Sequence, residues 1–165
     1  MYYHKMMKSP VGELKLIASD KGLAAVLWEN DDPKRVPISE TIESRDNTFL
    51  LEAEKQLLEY FEKKRTTFTL EMDFAGTDFQ KKVWHALLTI PFGETRTYGQ
   101  IAKQIGDVKA VRAVGAANGK NPISIIAPCH RVIGASGKLT GFAGGLENKA
   151  RLLQIEDSRK NPTLW

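Results

Sequence analysis

Hydrophobic and polar residues alternate along the first thirty positions, which is the period of side chains that point to opposite faces of a sheet. Two stretches of turn-forming residues, at 9–12 and 20–22, interrupt the alternation. The pattern therefore predicts a meander of three strands over residues 2–8, 13–19 and 23–29. The polar stretch 30–45, which contains Pro33 and Pro37, predicts a loop.

The spacing of apolar residues then changes to that of a helix. The helix is predicted from apolar residues at helical spacing, namely Leu50, Leu57, Leu58 and Phe61, and either Asp46 or Asn47 is suited to cap the first turn. Residues 68–74 alternate again and predict a short strand. The first part of the chain is therefore predicted to combine a sheet with one helix.

The second half of the chain has the pattern of several helices. Apolar residues between positions 79 and 88 predict an amphipathic helix that stops ahead of a proline at 91. Thr97 and Gln100 have the spacing of a capping box and predict a helix that ends at Gly106. A second helix follows directly, with Asp107 as its predicted cap, and runs as far as Gly119. Such a pair is typical of a helix-turn-helix, although small helical domains of any function contain helix pairs.

Charge separates the same two parts of the chain. Residues 1–76 carry 11 basic and 14 acidic side chains, whereas residues 77–165 carry 13 basic and 6 acidic ones. We therefore place a domain boundary near Gly76, with an N-terminal domain of residues 1–76 and a C-terminal domain of residues 77–165. The basic second domain favours a polyanion such as nucleic acid as partner, because each neutralised phosphate releases a counterion. An ordinary solvated basic surface would carry the same charge.

The second helix of the predicted pair has an unusual composition. Almost all of its residues are small, and Arg112 is its one large cation past the first turn. A helix with ordinary side chains is about 10 Å across, whereas a DNA minor groove is about 6 Å wide, so small side chains permit close approach to a minor groove. Arg112 would then project into the base stack. Small residues also allow helices to pack closely, and the composition leaves both interpretations open.

The chain contains a single cysteine, Cys129, and three histidines. It can form no internal disulfide and shows no metal-ligand spacing, so we expect neither a metal nor another cofactor. No apolar run approaches the ~20 residues of a membrane span, and residues 1–10 lack a signal-peptide core, so we expect a cytoplasmic protein. A lone thiol in a reducing compartment is either a small buried hydrophobe or a reactive group.

An apolar segment that begins at position 121 ends abruptly in Cys129, His130 and Arg131. Thiol chemistry at neutral pH needs a base and positive potential near the sulfur, and His130 and Arg131 are candidates for both. Adjacent side chains of an extended segment point to opposite faces, so His130 can reach the sulfur only through a turn or a bridging water. Glu156 is a candidate to fix the tautomer of such a base, although spacing does not distinguish it from Asp157.

These residues resemble those of a known family, the methylated-DNA–protein-cysteine methyltransferases, also called O6-alkylguanine-DNA alkyltransferases. The resemblance covers essentially the whole chain. Its most specific part is the run Pro-Cys-His-Arg-Val at 128–132. Supporting segments lie at 91–95, 112–115, 119–122, 144–146 and 152–153.

The resemblance implies roles for the residues around the thiol. Cys129 would accept the alkyl group, and His130 would deprotonate it through a water. Glu156 would orient the imidazole. Asn121 would brace the active-site turn through hydrogen bonds.

The resemblance also implies how DNA is held. Tyr98 would crowd the 3′ phosphate of the target nucleotide, and Arg112 would fill the space left in the stack, with its helix in the minor groove. Main-chain groups at Val132 and in the loop 141–145, which includes Ala143 and Gly144, would contact the guanine. Some family members have Tyr and Ser at positions 142 and 143, where this chain has Phe and Ala, so a main-chain N–H would replace a hydroxyl contact to O6.

The implied fold is α+β: a ribonuclease-H-like β-meander with a helix, without catalytic residues, precedes a helical domain with a helix-turn-helix. The implied function is DNA repair by a stoichiometric methylated-DNA-[protein]-cysteine S-methyltransferase. It would flip O6-alkylguanine out of double-stranded DNA, because a stacked base is not accessible to a buried thiolate, and would transfer the alkyl group irreversibly to its own cysteine. Neither a membrane nor an obligate protein partner is implied, and the zinc site of some members is not carried over.

Three other functions would make different use of these residues. An alkyltransferase-like damage sensor lacks the acceptor cysteine, which is present here. A thiol hydrolase with Cys129, His130 and Glu156 would turn over repeatedly and would not need a basic helix pair. A transcription regulator would need neither Cys129 nor Glu156.

Overall fold

The computed structural model describes residues 1–38, 40–137 and 139–157 of the chain. Its first three strands, β1 (Tyr3–Ser9), β2 (Gly12–Ala18) and β3 (Leu23–Leu27), form the predicted antiparallel meander. Gly12 opens β2 with a φ of 97°, which a residue with a side chain rarely adopts. The tight turn between β1 and β2 therefore depends on this glycine.

A short fourth strand, β4 (Ile42–Glu43), pairs in parallel with β1 and gives the sheet order β3-β2-β1-β4. The prediction of a loop over 30–45 was wrong at these two residues. The amide of Ile42 donates to the carbonyl of Tyr2 (2.9 Å), and the amide of Ser44 donates to that of His4 (2.9 Å). These residues form a strand because they pair with β1, which is distant in the sequence. Local alternation does not reveal such pairing.

The helix α1 (Thr48–Phe61) packs against the first three strands. Asn47 is its cap, since the side chain accepts a hydrogen bond from the amide of Leu50 (3.1 Å). The strand predicted over 68–74 was wrong: only Met72 makes a bridge, in parallel with Leu23. Backbone hydrogen bonds join this segment to the sheet only around Met72. They run between Leu23 and the two residues that flank Met72, Glu71 and Asp73.

The second half is helical, with α2 (Asp78–Leu87), α3 (Tyr98–Gln104), α4 (Val111–Gly119) and α5 (Leu146–Ile155). The capping box of Thr97 and Gln100 opens α3 as predicted. Asp107 does not cap α4, because that helix begins later, after Ala110, with no side-chain cap. The amide of Ala110 instead donates to the carbonyl of Asp107 (3.0 Å), so these residues form a turn between the two helices.

One apolar core connects the two halves, because residues of the sheet, α1, α2, α3 and the cysteine segment belong to a single buried cluster. The open edge of β3 also binds the second half directly. The amide of Val26 donates to the carbonyl of Pro122 (2.9 Å), at the start of the segment that leads to Cys129. The cysteine segment is therefore anchored to the N-terminal sheet.

The predicted α+β fold is confirmed, with a sheet and helix followed by a helical region. Within the described residues, no helix is long and apolar enough to cross a membrane. The same residues contain no group of three or more His, Cys, Asp or Glu side chains that could hold a metal ion.

Candidate active site around Cys129

Cys129 begins a single 3-10 turn, Cys129–Arg131, which leads into β6 (Val132–Ile133); β6 pairs in parallel with β5 (Arg96–Thr97). Buried Asn121 spans the preceding turn: its Oδ1 accepts from the amide of Ile123 (3.1 Å), and its Nδ2 donates to the carbonyl of Ala127 (2.8 Å). Between them, Ile125 has a φ of 73°, a conformation that costs a β-branched residue about 1–3 kcal/mol. Asn121 thus holds a strained turn directly before the thiol.

The thiol of Cys129 is buried, and burial raises its pKa. A hydrogen bond from the Asn121 side chain and the positive charges of Arg35 and Lys149 act in the opposite direction, because each favours the thiolate. Arg131, one of the two candidates for this positive potential, is not among the charges that lower the pKa of Cys129. Its guanidinium binds Glu156 and the carbonyl of Ile90 instead.

His130 is fully buried and forms a hydrogen bond with Glu156, with 2.7 Å between Nε2 and Oε2. The geometry thus selects Glu156, where spacing alone had left Asp157 as an alternative. The other ring nitrogen, Nδ1, is buried and has no hydrogen-bond partner within the described chain. An ionised Glu156 requires the proton on Nε2, which leaves the lone pair of Nδ1 free to accept a proton.

Glu156 lies directly after α5 and is almost fully buried. Its carboxylate forms hydrogen bonds with three side chains, one of which is that of His130. Arg131 donates from Nε to Oε1 (2.8 Å) and from Nη2 to Oε2 (3.0 Å), and the hydroxyl of Tyr60 donates to Oε2 (2.6 Å). Burial opposes ionisation of Glu156, but the charges and hydrogen bonds of His130 and Arg131 outweigh it and hold the pKa of this carboxyl well below its usual range. Glu156 is therefore a carboxylate at neutral pH.

Lys149, on α5, is a buried cation that the sequence analysis did not select. Its Nζ donates to the carbonyl of Val132 (2.7 Å) and lies 5.8 Å from the centre of the Phe142 ring. Burial lowers its pKa, whereas Cys129 raises it. A lysine within a short amphipathic helix is normally a surface residue, so no local signal marked it.

Arg35 was also missed, because it lies in the polar stretch predicted as a loop. Its Nε and Nη2 bind the two oxygens of Asp31 (2.7 and 2.6 Å). Its Nη1 donates to the carbonyls of Asn121 (2.8 Å) and Gly119 (3.2 Å). An N-terminal side chain thus binds the end of α4 and the start of the cysteine segment together.

The residues predicted to contact DNA belong to α3, α4, β6 and the loop 141–145. Tyr98 opens α3, its hydroxyl forms a hydrogen bond with Thr140, and its ring lies against Gly115 of α4, where an added Cβ would be 3.8 Å away. Tyr98 therefore contacts both α4 and Thr140, the residue that precedes the loop 141–145. Arg112 is exposed near the start of α4, together with Ala113.

The loop 141–145 packs against Trp28, which lies at the end of the N-terminal sheet. The rings of Trp28 and Phe142 meet edge to face at 5.4 Å, and the Trp28 indole donates to Ser124 in the cysteine segment (3.1 Å). A Cβ on Gly144 would lie 2.6 Å from the indole, so this position requires glycine. Ala143 is exposed, and the carbonyl of Val132, which was predicted to contact guanine, already accepts one hydrogen bond from Lys149.

Comparison with known proteins places this arrangement in a family. Residues 1–74 match the family profile described as "6-O-methylguanine DNA methyltransferase, ribonuclease-like domain", and residues 78–158 match "6-O-methylguanine DNA methyltransferase, DNA binding domain". The chain belongs to the 6-O-methylguanine DNA methyltransferase family. The resemblance identified from the sequence is thereby confirmed.

Individual members of the family are similar over nearly their whole length. The methylated-DNA–protein-cysteine methyltransferase of Methanosarcina mazei is 50% identical over 158 residues, which cover 96% of this chain and 98% of that protein. The crystal structure of Mycobacterium tuberculosis O6-methylguanine methyltransferase superposes with a TM-score of 0.85 at 49% identity, covering 96% of this chain and 94% of the other. The structure of Mycobacterium tuberculosis OGT in complex with DNA gives a TM-score of 0.86 at 47% identity, with 98% of each chain covered.

Proposed function

We propose that this protein repairs DNA by transferring the alkyl group of O6-alkylguanine to Cys129, in a reaction that each molecule performs once. The thiolate attacks the alkyl carbon, a carbon–sulfur bond forms, and the bond between that carbon and O6 breaks. Guanine leaves and takes up a proton at O6 or N1. The product is a thioether, which no group that the structure describes near Cys129 is suited to hydrolyse.

The observation that carries this proposal is the buried Nδ1 of His130, which has no hydrogen-bond partner within the described chain and belongs to the residue that follows the buried Cys129. Because Glu156 holds Nε2, His130 can accept a proton only at Nδ1. A water between the sulfur and Nδ1 would carry the thiol proton to the imidazole, and the ionised Glu156 would stabilise the imidazolium that forms. Lys149 and Arg35 would then offset the negative charge on the sulfur.

DNA is bound, in this proposal, by the basic C-terminal half. The small exposed residues of α4 let that helix approach the minor groove, and Arg112 occupies the space that the flipped nucleotide leaves. Tyr98, which contacts α4 and Thr140, contacts the adjacent phosphate. The match to a relative crystallised in complex with DNA supports this part of the proposal.

A stoichiometry experiment tests the proposed function. A duplex that carries one O6-methylguanine is incubated in excess over the protein, and repaired guanine is measured until it reaches a plateau. One repaired base per molecule is expected, with none for Cys129→Ser. Repaired guanine in excess of the protein would show a hydrolase. If the unaltered chain repairs no base, the proposed function is wrong, and the remaining interpretations are a damage sensor and a transcription regulator.

A further inference from the structure

Tyr60 belongs to the N-terminal α1, yet its hydroxyl lies inside the buried cluster of the C-terminal half. It donates to Oε2 of Glu156 (2.6 Å), the same oxygen that binds Nε2 of His130 (2.7 Å) and Nη2 of Arg131 (3.0 Å). We propose that Tyr60 is a positioning residue for alkyl transfer: its hydroxyl fixes Glu156 and limits how strongly that carboxylate retains the proton on His130. This inference rests on the proposed function.

Packing alone does not account for the hydroxyl. The ring of Tyr60 contacts three aromatic rings, those of Phe61, Phe68 and Phe92, at centroid distances of 5.3, 5.5 and 6.3 Å. A phenylalanine would keep these contacts. A fully buried hydroxyl is costly unless it is hydrogen-bonded, and here its acceptor is Glu156.

The consequence for the reaction follows from how one carboxylate is shared. Burial and the neighbouring Glu156 both raise the pKa of Tyr60, so its hydroxyl remains a donor at working pH. Each donor on Oε2 withdraws negative charge that would otherwise hold a protonated imidazole. Without the hydroxyl, Glu156 would stabilise protonated His130 more strongly. Protonated His130 cannot accept the thiol proton. On acidification, the variant would therefore lose transfer at a higher pH than the unaltered chain.

Other charged groups lie around the turn Cys129–Arg131, and a substitution of Tyr60 does not change them. The guanidinium of Arg131 binds both oxygens of Glu156, and Lys149 on α5 binds the carbonyl of Val132. The helix α2 also packs against the turn, but none of its charged or titratable residues is buried. These residues of α2 are Asp78, Lys81, Lys82 and His85.

The test is the pH dependence of the single-turnover rate of methyl transfer, measured from about pH 5 to pH 9, where a histidine base titrates. For Tyr60→Phe, the acid limb, which is the part of the profile where the rate falls with decreasing pH, should move to higher pH by about half to one unit. At a given pH on that limb, the rate should therefore be threefold to tenfold lower. The rate on the plateau should change little. Tyr3→Phe is the matched control, because Tyr3 also packs against the core, and its profile should coincide with that of the unaltered chain.

A second substitution gives the opposite sign and does not remove the group. Site-specific Tyr60→3-fluorotyrosine makes the phenol a stronger donor, so the acid limb should move to lower pH. A merely structural role would not yield opposite shifts from the two changes. Profiles that coincide with that of the unaltered chain would overturn the inference and leave the proposed function intact, whereas absence of transfer by the unaltered chain would overturn the proposed function itself.

Discussion

Replacing Glu156 by glutamine removes the only negative charge that contacts the buried Arg131 in the described structure. The Arg131 side chain is 7% exposed, so its charge would remain in the interior without a partner. Breaking a buried ion pair on one side typically costs about 3–5 kcal/mol. In a chain of this size, a loss of that magnitude corresponds to a fall of roughly 6–20 °C in Tm.

The measurement is urea unfolding of the unaltered chain and Glu156→Gln at several pH values, with Glu147→Gln as control. Glu147 lies on the same helix and pairs with Arg151, but it is 89% exposed, so its loss should cost at most about 0.5 kcal/mol. The two glutamine variants therefore separate a buried carboxylate from an exposed one.

The pH dependence provides the stricter test. The pKa of Glu156 is held below its unfolded value of about 4.3, so its contribution is fully present above that pH and is lost as pH falls towards the folded-state pKa. The part of the difference between the unaltered chain and Glu156→Gln that comes from this carboxylate should shrink below about pH 4. A difference under about 1 kcal/mol at pH 7, or one that does not change with acid, would show that Glu156 does not stabilise the fold as an ionised partner of Arg131.

Three further substitutions test other parts of the site. Lys149→Met removes a positive charge that lowers the pKa of Cys129, so transfer at pH 7 should slow about tenfold and recover at higher pH; an unchanged pH profile would contradict this. Arg112→Ala should reduce repair of a duplex more than reaction with free O6-alkylguanine base, and equal losses would exclude its role in the base stack. Gly144→Ala should lower the free energy of unfolding by about 1–3 kcal/mol through the clash with Trp28. Trp28→Leu in the same chain should remove most of that penalty, and additive losses would show that the two positions are not coupled.

Features set by local spacing were predictable from the sequence. The meander, the Asn47 cap and the Thr97–Gln100 capping box each depend on residues a few positions apart, and each was found where the pattern indicated. Features set by pairing across the chain were not. The strand β4 exists because of bonds to β1, and residues 68–74 lack a strand because only Met72 pairs with β3.

The same distinction holds at the candidate site. Cys129 and His130 could be proposed from their types and order, since each carries a recognisable chemistry, whereas order alone left Glu156 and Asp157 as alternatives. Tyr60 and Arg35 could not, because they lie 96 and 86 positions from the residues that they bind, Glu156 and Asn121. The first resembles an ordinary core aromatic residue and the second an ordinary loop cation.

These contacts also change the role expected of the N-terminal half. The resemblance implied an N-terminal fold without catalytic residues, and the structure adds that Trp28, Arg35 and Tyr60 contact the loop, the turn and the carboxylate of the candidate site. The division into domains at residue 76 stays a prediction. A cut at that position would separate Glu156 from Tyr60, so we expect the two halves to function only together.

In the proposed reaction, Cys129 keeps the alkyl group. After incubation with a duplex that carries O6-methylguanine, the protein is digested and the masses of its peptides are measured. We predict a gain of one methyl group on the peptide that contains Cys129, at most once per molecule and with no other peptide changed. An unmodified Cys129 after the base has been repaired, or a methyl group on another residue, would contradict the account.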